Sequence, residues 1–401
     1  MFDRIARLFD GLQPDEPGPP PGGGGGVALA LTGGGARAAY QAGVLRGLAR
    51  LAPGFRPDIL TGVSAGALNG AFLAASAEAP FPTAVDRLVD VWRDLRADHV
   101  YRLDRPTVPQ ALARFGRRPD EVSPPAEGGF LDTTPLKAFV EGHLGAVGEP
   151  MEAVDRAVRE GHLGGFAITT TSYTSGQSVT WVQGAGLEPW DRPMRRAVRT
   201  KLRTEHVLAS ASLPFFFPAV AIDDGVLGHG WYGDGGIRLT APLSPALHLG
   251  ADKILVVNTR YGPSRAEADA PKVDAYPPPT RVLGILMNAV FLDVLDRDAQ
   301  TLRRINALVA STPRREWNGF RPVELLVLRP SVDLATLAVG FEPPLPPSMR
   351  LVMGGLSSGD GRSPDWLSML GFDPAYVEAL LQIGEADAER QADSITAFLE
   401  A

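Results

Sequence analysis

The sequence has no cysteine among its 401 residues. This absence excludes disulfide bonds, thiol nucleophiles and metal sites with cysteine ligands, and it leaves the redox compartment undetermined. No run of about 18 apolar residues occurs, so we expect no transmembrane helix. The apolar stretch between Met1 and Leu12 is interrupted by Asp3, Arg4 and Arg7, which argues against a signal peptide. We therefore expect a cytoplasmic protein or one bound peripherally to a membrane.

The sequence also lacks any concentrated positive charge. Its net charge is −7, and its lysines and arginines are scattered. A nucleic-acid partner would require a clustered basic face, so none is expected. Hydrophobic residues make up 44% of the chain, enough apolar material for a sizeable core. We expect one large domain with additions at its ends.

The boundaries of that domain follow from composition. Residues 13–26 are rich in proline and glycine and end in a run of glycines, which is typical of a linker. The residues before them have apolar positions at helical spacing, which fits a docked terminal helix or a short interfacial anchor. We predict an N-terminal segment over 1–26, a main folded domain over 27–260 and a mostly helical C-terminal extension over 261–401, packed on that domain. The Pro-rich segments 102–129 and 260–280 leave open whether either covers a site.

Strand and helix patterns alternate along the chain. Apolar, β-rich runs predict six strands, over Val27–Thr32, Asp58–Val63, Phe166–Tyr173, Ser178–Val182, Lys253–Thr259 and Val323–Leu328. Helical spacing predicts seven helices, over Ala39–Leu51, Ala65–Ala77, Ala84–Arg96, Thr134–Phe139, Met194–Ala211, Arg281–Val309 and Pro374–Leu399. This alternation favours an α/β fold of three layers, α/β/α, with a mainly parallel central sheet and helical C-terminal additions.

Ser64 lies in the pentapeptide Gly62-Val63-Ser64-Ala65-Gly66, a G-x-S-x-G motif. A serine at a sharp turn between a strand and a helix projects its hydroxyl out of the sheet, and glycines on both sides avoid collisions. A second match centres on Ser357, but turn residues follow it and no helix can begin there. Since only Ser64 has a predicted strand before it and a helix after it, we predict that Ser64 is the nucleophile.

Three consecutive glycines, Gly33 to Gly35, follow the first predicted strand. Their backbone N–H groups can face a ligand and stabilise an oxyanion. The alternative is dinucleotide binding, because Gly33-x-Gly35-x-x-Ala38 is a permissive fingerprint for that function. It requires an acidic residue at the end of the second strand, whereas the nearest candidate, Asp58, precedes that strand. The sequence therefore favours the oxyanion-binding loop.

A serine nucleophile needs a base, and the residues leave two choices open. One is a histidine oriented by an acid, for which Asp234 followed by His248 has the chain order of α/β-hydrolases. The other is Asp234 itself, which is flanked by glycines in Gly233-Asp234-Gly235. A carboxylate would serve better as a base in a desolvated site that raises its pKa. The three phenylalanines from Phe215 to Phe217 fit the core or an acyl pocket, with the core preferred.

These motifs together resemble the patatin-like phospholipase family over roughly residues 27–259. The similarity rests on five blocks in the family's order, Thr32–Arg37, Gly62–Gly66, Gly129–Leu136, Ala209–Pro218 and Asp234–Gly236. The resemblance implies a Ser–Asp dyad in which Ser64 is the nucleophile and Asp234 is the base. It further implies an oxyanion hole at Gly33, Gly34 and Gly35 with Arg37 beside it, and no metal or other cofactor.

The implied activity is hydrolysis of fatty-acyl esters of lipids, of the phospholipase A or lysophospholipase type, through an acyl-serine intermediate. The expected partner is a lipid substrate, either dispersed or at a membrane surface, and homo-oligomer formation is left open. Two alternatives remain: a non-catalytic lipid-binding or scaffolding protein of the same fold, and a nucleotide-binding oxidoreductase.

Overall fold

Short apolar runs form the parallel strands of a mixed β-sheet in this computed structural model. The residues it describes are 26–102, 131–184, 189–269, 294–317, 319–341 and 368–400. Several predicted features lie outside the described residues: the N-terminal helix, the linker up to residue 25, most of both Pro-rich segments, the first half of the helix predicted from Arg281, and Ser357.

Ten strands within the described residues belong to one sheet. They are β1 Gly26–Leu31, β2 Ile59–Val63, β3 Gly165–Ser172, β4 Ser178–Gly184, β5 Asp191–Arg192, β6 Arg195–Arg199, β7 Val220–Asp224, β8 Gly228–Asp234, β9 Ala251–Val257 and β10 Glu324–Leu328.

The sheet is parallel on one side and mixed on the other. Its order is β10-β9-β1-β2-β3-β4-β6-β5, and the first five strands of that order run parallel. β4 is antiparallel to β3, and β8 pairs with both β3 and β7 in antiparallel orientation. Parallel strands need helical crossovers, so both faces of this sheet are covered.

Thirteen α-helices lie within the described residues. They are α1 Ala39–Leu51, α2 Ala65–Ala75, α3 Phe81–Asp94, α4 Ala97–Val100, α5 Thr134–Leu144, α6 Glu152–Arg159, α7 Thr204–Ser210, α8 Ser244–His248, α9 Arg265–Asp269, α10 Val294–Ala310, α11 Leu334–Val339, α12 Pro374–Arg390 and α13 Ala392–Glu400.

Two hydrophobic cores lie on the two faces of the sheet. Successive residues of a strand point to opposite faces; in β1, Leu29 and Leu31 belong to the larger core, whereas Ala28 and Ala30 belong to the smaller one. The larger core takes buried residues from α1, α2, α3 and α12, and the smaller one from α8 and α10. The predicted three-layer α/β/α fold is therefore confirmed.

The predicted boundaries agree with the structure in some elements and not in others. The helix predicted over Ala39–Leu51 is confirmed at both ends. The helix predicted over Met194–Ala211 is wrong in its first half, because Arg195–Arg199 forms β6 and only Thr204–Ser210 is helical. The physical reason is tertiary: Ala197 and Val198 pair with β4, and this ladder outweighs local helical spacing.

The C-terminal part of the chain joins the core of the fold. β10 extends the sheet by pairing with β9 in parallel orientation. Helix α12 packs lengthwise on α1, and glycines allow the close approach. A Cβ atom added at Gly384 would lie 2.2 Å from the carbonyl oxygen of Tyr40, and one added at Gly43 would lie 2.1 Å from that of Leu381.

No helix within the described ranges combines the length and the apolar character needed to cross a membrane.

The close helix contact predicts opposite effects for two Gly→Ala substitutions in helices. Gly384→Ala should lower the free energy of unfolding by about 1–3 kcal/mol, because a methyl group there forces α12 away from α1. Gly142→Ala is the matched control, since a Cβ atom at Gly142 meets nothing within 4 Å. It should raise stability by about 0.5–1 kcal/mol. Urea denaturation measures both, and equal stability of the two variants would contradict the packing.

Candidate active site

Two strands end facing each other along the same edge of β3. The parallel strand β2 pairs with the first part of β3 as far as Val63 opposite Thr169. The antiparallel strand β8 pairs with the second part, from Asp234 opposite Thr170. Since β2 and β8 run in opposite directions, their last residues meet. Ser64, which follows β2, is thereby brought to Asp234, which ends β8.

Ser64 occupies a strained turn between β2 and α2. Its φ is 55° and its ψ is −133°, a conformation that costs a residue with a side chain about 1–3 kcal/mol. Gly66, in the first turn of α2, lies directly against the end of β1, since a Cβ atom there would lie 2.3 Å from the carbonyl oxygen of Leu31. Gly62, the other glycine of the motif, is similarly close to the backbone of Ala67. The predicted turn from strand to helix is therefore confirmed.

The side chains of Ser64 and Asp234 are hydrogen-bonded. Ser64 Oγ donates to Asp234 Oδ2 at 2.6 Å. The other carboxylate oxygen, Oδ1, accepts from the backbone N–H of Gly236 at 2.8 Å. Thr171 Oγ1 donates to the backbone carbonyl of Asp234 at 2.8 Å, which fixes the end of β8 to β3. The carboxylate is thus held in one orientation by two hydrogen bonds, and the backbone of the same residue by a third.

Burial makes Asp234 a stronger base. Its side chain is fully buried, and loss of hydration raises its pKa to about 7 although the hydrogen bonds from Ser64 and Gly236 act in the opposite direction. Desolvation disfavours the charged form of a carboxyl group. A group with a pKa near neutrality can accept a proton from a hydroxyl and return it to a leaving group.

The glycine loop lies directly beside Ser64. A Cβ atom at Gly33 would lie 2.9 Å from Ser64 Cβ, and one at Gly34 would lie 2.6 Å from Thr259 Oγ1. Gly35 has a φ of 57°, which favours glycine. Thr259 Oγ1 donates to the carbonyl of Gly33 at 2.6 Å. Within the described ranges, the N–H groups of the three glycines donate to no other protein group, so they remain available for an oxyanion.

Arg37 follows the glycine loop but points away from the cavity at Ser64. It is buried, and its Nε donates to Ser368 Oγ at 2.7 Å. The cavity-lining residues include Gly33 to Gly35 but not Arg37. The guanidinium therefore connects the glycine loop to the C-terminal part of the chain.

A buried chain of amides joins the glycine loop to α2. Gln41 Nε2 donates to the carbonyl oxygens of Thr32 at 2.8 Å and Val257 at 3.0 Å. Asn69 of α2 donates to Gln41 Oε1 at 2.9 Å and accepts from the indole N–H of Trp92 at 2.7 Å. Buried polar groups must be paired, so this chain fixes the distance between the loop and the helix that follows Ser64.

An apolar cleft of about 740 Å³, counted with its part open to solvent, leads to the hydroxyl of Ser64. Apart from Ser64 and Asp234, its lining side chains are apolar. They are Val63, Ala65, Leu68, Trp92, Leu95, Val100, Leu136, Ala211, Leu213, Phe217, Met369, Leu370 and Phe372. Of the three phenylalanines considered above, Phe217 thus lines the cleft, whereas Phe215 is 55% exposed and is not a core residue.

All six histidines have partners elsewhere in the fold. In each of them, the ring nitrogen that forms a hydrogen bond contacts a group other than Ser64 or Asp234. The six are His99, His143, His162, His206, His229 and His248. His248 Nδ1 lies 2.8 Å from the carbonyl oxygen of Ser244. Among the described residues, Asp234 bonds Ser64 and Gly236 whereas His248 bonds Ser244, so the arrangement of Asp234 with His248 is not formed.

Asp58, the acidic residue considered for dinucleotide binding, does not lie beside the glycine loop. Asp58 Oδ2 accepts from the N–H of Val27 at 2.8 Å, so it lies at the start of β1, at the opposite end of the sheet from the glycine loop. Among the described residues, no group of three histidine, aspartate or glutamate side chains is close enough to hold a metal ion.

Four residues that contribute to this site are not foreseen in the sequence. Ser210 lies in the block Ala209–Pro218, whose similarity to the family was its sole signal; its hydroxyl contacts the backbone of Ser64. Met369, Leu370 and Phe372 had no local signal, because only the folding of the chain brings them to Ser64.

The chain is similar to several solved structures. No curated protein sequence matches the chain significantly. Among solved structures, human GIVD cytosolic phospholipase A2 is similar at a TM-score of 0.48 and 14% identity, over 93% of this chain and 60% of that one. VipD from Legionella pneumophila is similar at a TM-score of 0.29 and 12% identity, over 89% and 67%. The chain thus spans about 60% of the length of the phospholipase A2.

One family model matches the sequence, that of the patatin-like phospholipases, over residues 29–247. This region contains Ser64, Asp234 and the glycine loop. Because the match covers more than half of the 401 residues, the chain belongs to the patatin-like phospholipase family.

Proposed function

We propose that this protein is a serine acyl hydrolase that cleaves fatty-acyl esters of phospholipids or lysophospholipids. The observation that carries the proposal is the hydrogen bond of 2.6 Å from Ser64 Oγ to the buried Asp234 carboxylate, at the base of an apolar cleft. A hydroxyl paired with a base is the signature of an activated nucleophile. A cleft with so few polar side chains suits an acyl chain better than a sugar, nucleotide or peptide.

In the first half of the reaction, Ser64 Oγ attacks the ester carbonyl carbon as Asp234 Oδ2 accepts the hydroxyl proton. The carbonyl oxygen becomes an oxyanion, which the N–H groups of Gly33 to Gly35 stabilise. Removal of one such donor typically costs about 10²–10³ in rate. The C–O bond of the ester then breaks, the alcohol leaves with the proton from Asp234, and an acyl-serine remains. Arg37 acts beside this loop by holding it in place.

In the second half, a water molecule takes the place of the alcohol. Asp234 accepts a proton from the water, whose oxygen attacks the acyl carbonyl carbon. The bond to Ser64 Oγ breaks, the proton returns to Oγ, and the fatty acid leaves. The raised pKa of Asp234 suits this cycle, because the carboxyl group must accept and release a proton twice in each turnover.

A fluorophosphonate probe tests the nucleophile. The probe should label the wild-type protein but not Ser64→Ala, and hydrolysis of a p-nitrophenyl ester should fall about 10⁴-fold or more in that variant. Ser357→Ala is the matched control, because Ser357 has the same G-x-S-x-G spacing; it should keep full labelling. Persistent labelling of Ser64→Ala would remove the assignment. An unlabelled, inactive wild type that still binds lipid would favour the non-catalytic scaffold.

The raised pKa of Asp234 predicts the pH dependence of kcat/KM. The deprotonated carboxylate is the active form, so kcat/KM should be constant above about pH 7 and fall about ten-fold per unit below it. Asp234→Asn should remain folded and keep little activity with no such titration. Initial rates across the pH range measure this profile. A wild-type profile that is flat through neutrality would show that the pKa of the base is not near 7, and full activity of Asp234→Asn would show that another group is the base.

A further inference from the structure

One wall of the cleft comes from the C-terminal part of the chain. Met369, Leu370 and Phe372 line the cleft and are each less than a tenth exposed. They lie far beyond residues 29–247, where the sequence matches its family. This wall is therefore a property of this chain and not of the matched region.

Contacts on both sides hold the wall against the site. Arg37 Nε donates to Ser368 Oγ at 2.7 Å, and Tyr101 Oη donates to the carbonyl of Leu370 at 2.9 Å. The carbonyl of Met369 lies so close to the glycine loop that a Cβ atom at Gly35 would come within 2.2 Å of it. Because the wall is fixed in this way, the volume of its side chains limits the space for a substrate beside Ser64.

The wall meets a second lining residue across an aromatic pair. The rings of Phe372 and Trp92 are stacked, with 6.4 Å between centroids and 8° between planes. Trp92 is itself fixed by its hydrogen bond to Asn69. Because both rings are buried and held by neighbours, neither can yield to a longer acyl chain without loss of packing.

We propose that the segment from Met369 to Phe372 determines which acyl-chain lengths this protein hydrolyses. The inference rests on the proposed acyl hydrolase function. Each methylene of the acyl chain that fits in the cleft increases kcat/KM about four-fold. A methylene that does not fit gives no such increase. The side-chain volume at Leu370 and Phe372 therefore sets the chain length at which the increase stops.

Phe372→Leu tests the wall with a change of about one methylene in volume. The ratio of kcat/KM for p-nitrophenyl esters of longer over shorter acids, from butyrate to dodecanoate, should rise about four-fold at the upper limit of the series. Phe398→Leu is the matched control. Phe398 is 8% exposed, as Phe372 is, but it does not line the cleft, so its ratio should equal that of the wild type.

A second variant should act in the opposite direction. Leu370→Phe fills the cleft and should shift the preference toward shorter esters. If both variants keep the wild-type profile while Leu68→Ala, in the matched region of the same cleft, changes it, the wall does not determine chain length. A wild type that hydrolyses no ester of any length would instead refute the proposed function.

A different observation concerns the backbone of Ser64. Its N–H is buried in the strained turn and donates to Ser210 Oγ at 2.9 Å. The hydroxyl of Ser210 donates its one proton to the carbonyl of Thr169 at 2.7 Å. The direction of both hydrogen bonds is therefore settled, because a hydroxyl that has given its proton can only accept. Thr169 is the residue of β3 at which pairing with β2 ends.

We infer that Ser210 is a positioning residue for the nucleophile. Its hydroxyl connects the turn at Ser64 to β3, at the point where β2 and β8 meet. Without the hydroxyl, a buried N–H loses its acceptor and the strained turn loses a restraint. Ser64 Oγ would then occupy a wider range of positions relative to Asp234, and displacements near 1 Å cost about 10² in rate.

Ser210→Ala should lower kcat and the rate of fluorophosphonate labelling by about 10–100-fold, with KM within about two-fold of the wild type. Ser212→Ala is the matched control. Ser212 is also buried, but its hydroxyl donates to the backbone carbonyl of Leu208 at 2.8 Å and does not contact the turn at Ser64. Its kcat should stay within about two-fold. Ser210→Thr, which keeps the hydroxyl, should restore most of the rate.

The outcomes separate a positioning role from a structural one. The pH midpoint of Ser210→Ala should match that of the wild type, because Asp234 keeps its burial and both of its partners. Wild-type kcat in Ser210→Ala, or equal losses in Ser210→Ala and Ser212→Ala, would overturn the inference. Absence of labelling in the wild type would refute the proposed function and not the hydrogen bonds of Ser210.

Discussion

The meeting of β2 and β8 along one edge of β3 is the constraint on which the candidate site depends. β3 has eight residues and divides its pairing between two strands that arrive from opposite directions. β2 ends one residue before Ser64 and β8 ends at Asp234, so both side chains project into the same gap. The separation between the two residues along the chain does not matter, since the hydrogen bonds of the sheet fix their distance.

Burial at this junction has two consequences that act together. It removes water from the Asp234 carboxylate, which raises the pKa of that group to about 7. The apolar side chains packed there also line the cleft that leads to Ser64. A dry, apolar site strengthens electrostatic interactions. The same packing that forms the apolar cleft therefore also raises the pKa of the carboxyl group, and the two properties cannot be varied independently.

The C-terminal part of the chain is integral to this arrangement. β10 continues the parallel half of the sheet, and α12 packs on α1 through the reciprocal contacts of Gly43 and Gly384. These contacts bring Met369, Leu370 and Phe372 to the cleft. Arg37 and Tyr101 hold the segment there through hydrogen bonds to Ser368 and to the carbonyl of Leu370. Residues that the family match does not cover thus shape the site that it does cover.

By itself, the sequence determined the alternation of strands and helices in the parallel half of the sheet, the turn at Ser64 and the position of the glycine loop. These features are local, because apolar runs and glycines act within a few residues of themselves. The sequence named Asp234 as a candidate, but only the tertiary structure decided that its carboxylate, and not a histidine, lies beside Ser64, since β8 is a glycine-rich strand that the apolar patterns do not predict. The conversion of Arg195–Arg199 into a strand and the recruitment of Met369 to Phe372 were also decided there. Pairing and packing between distant segments depend on contacts that no local pattern encodes.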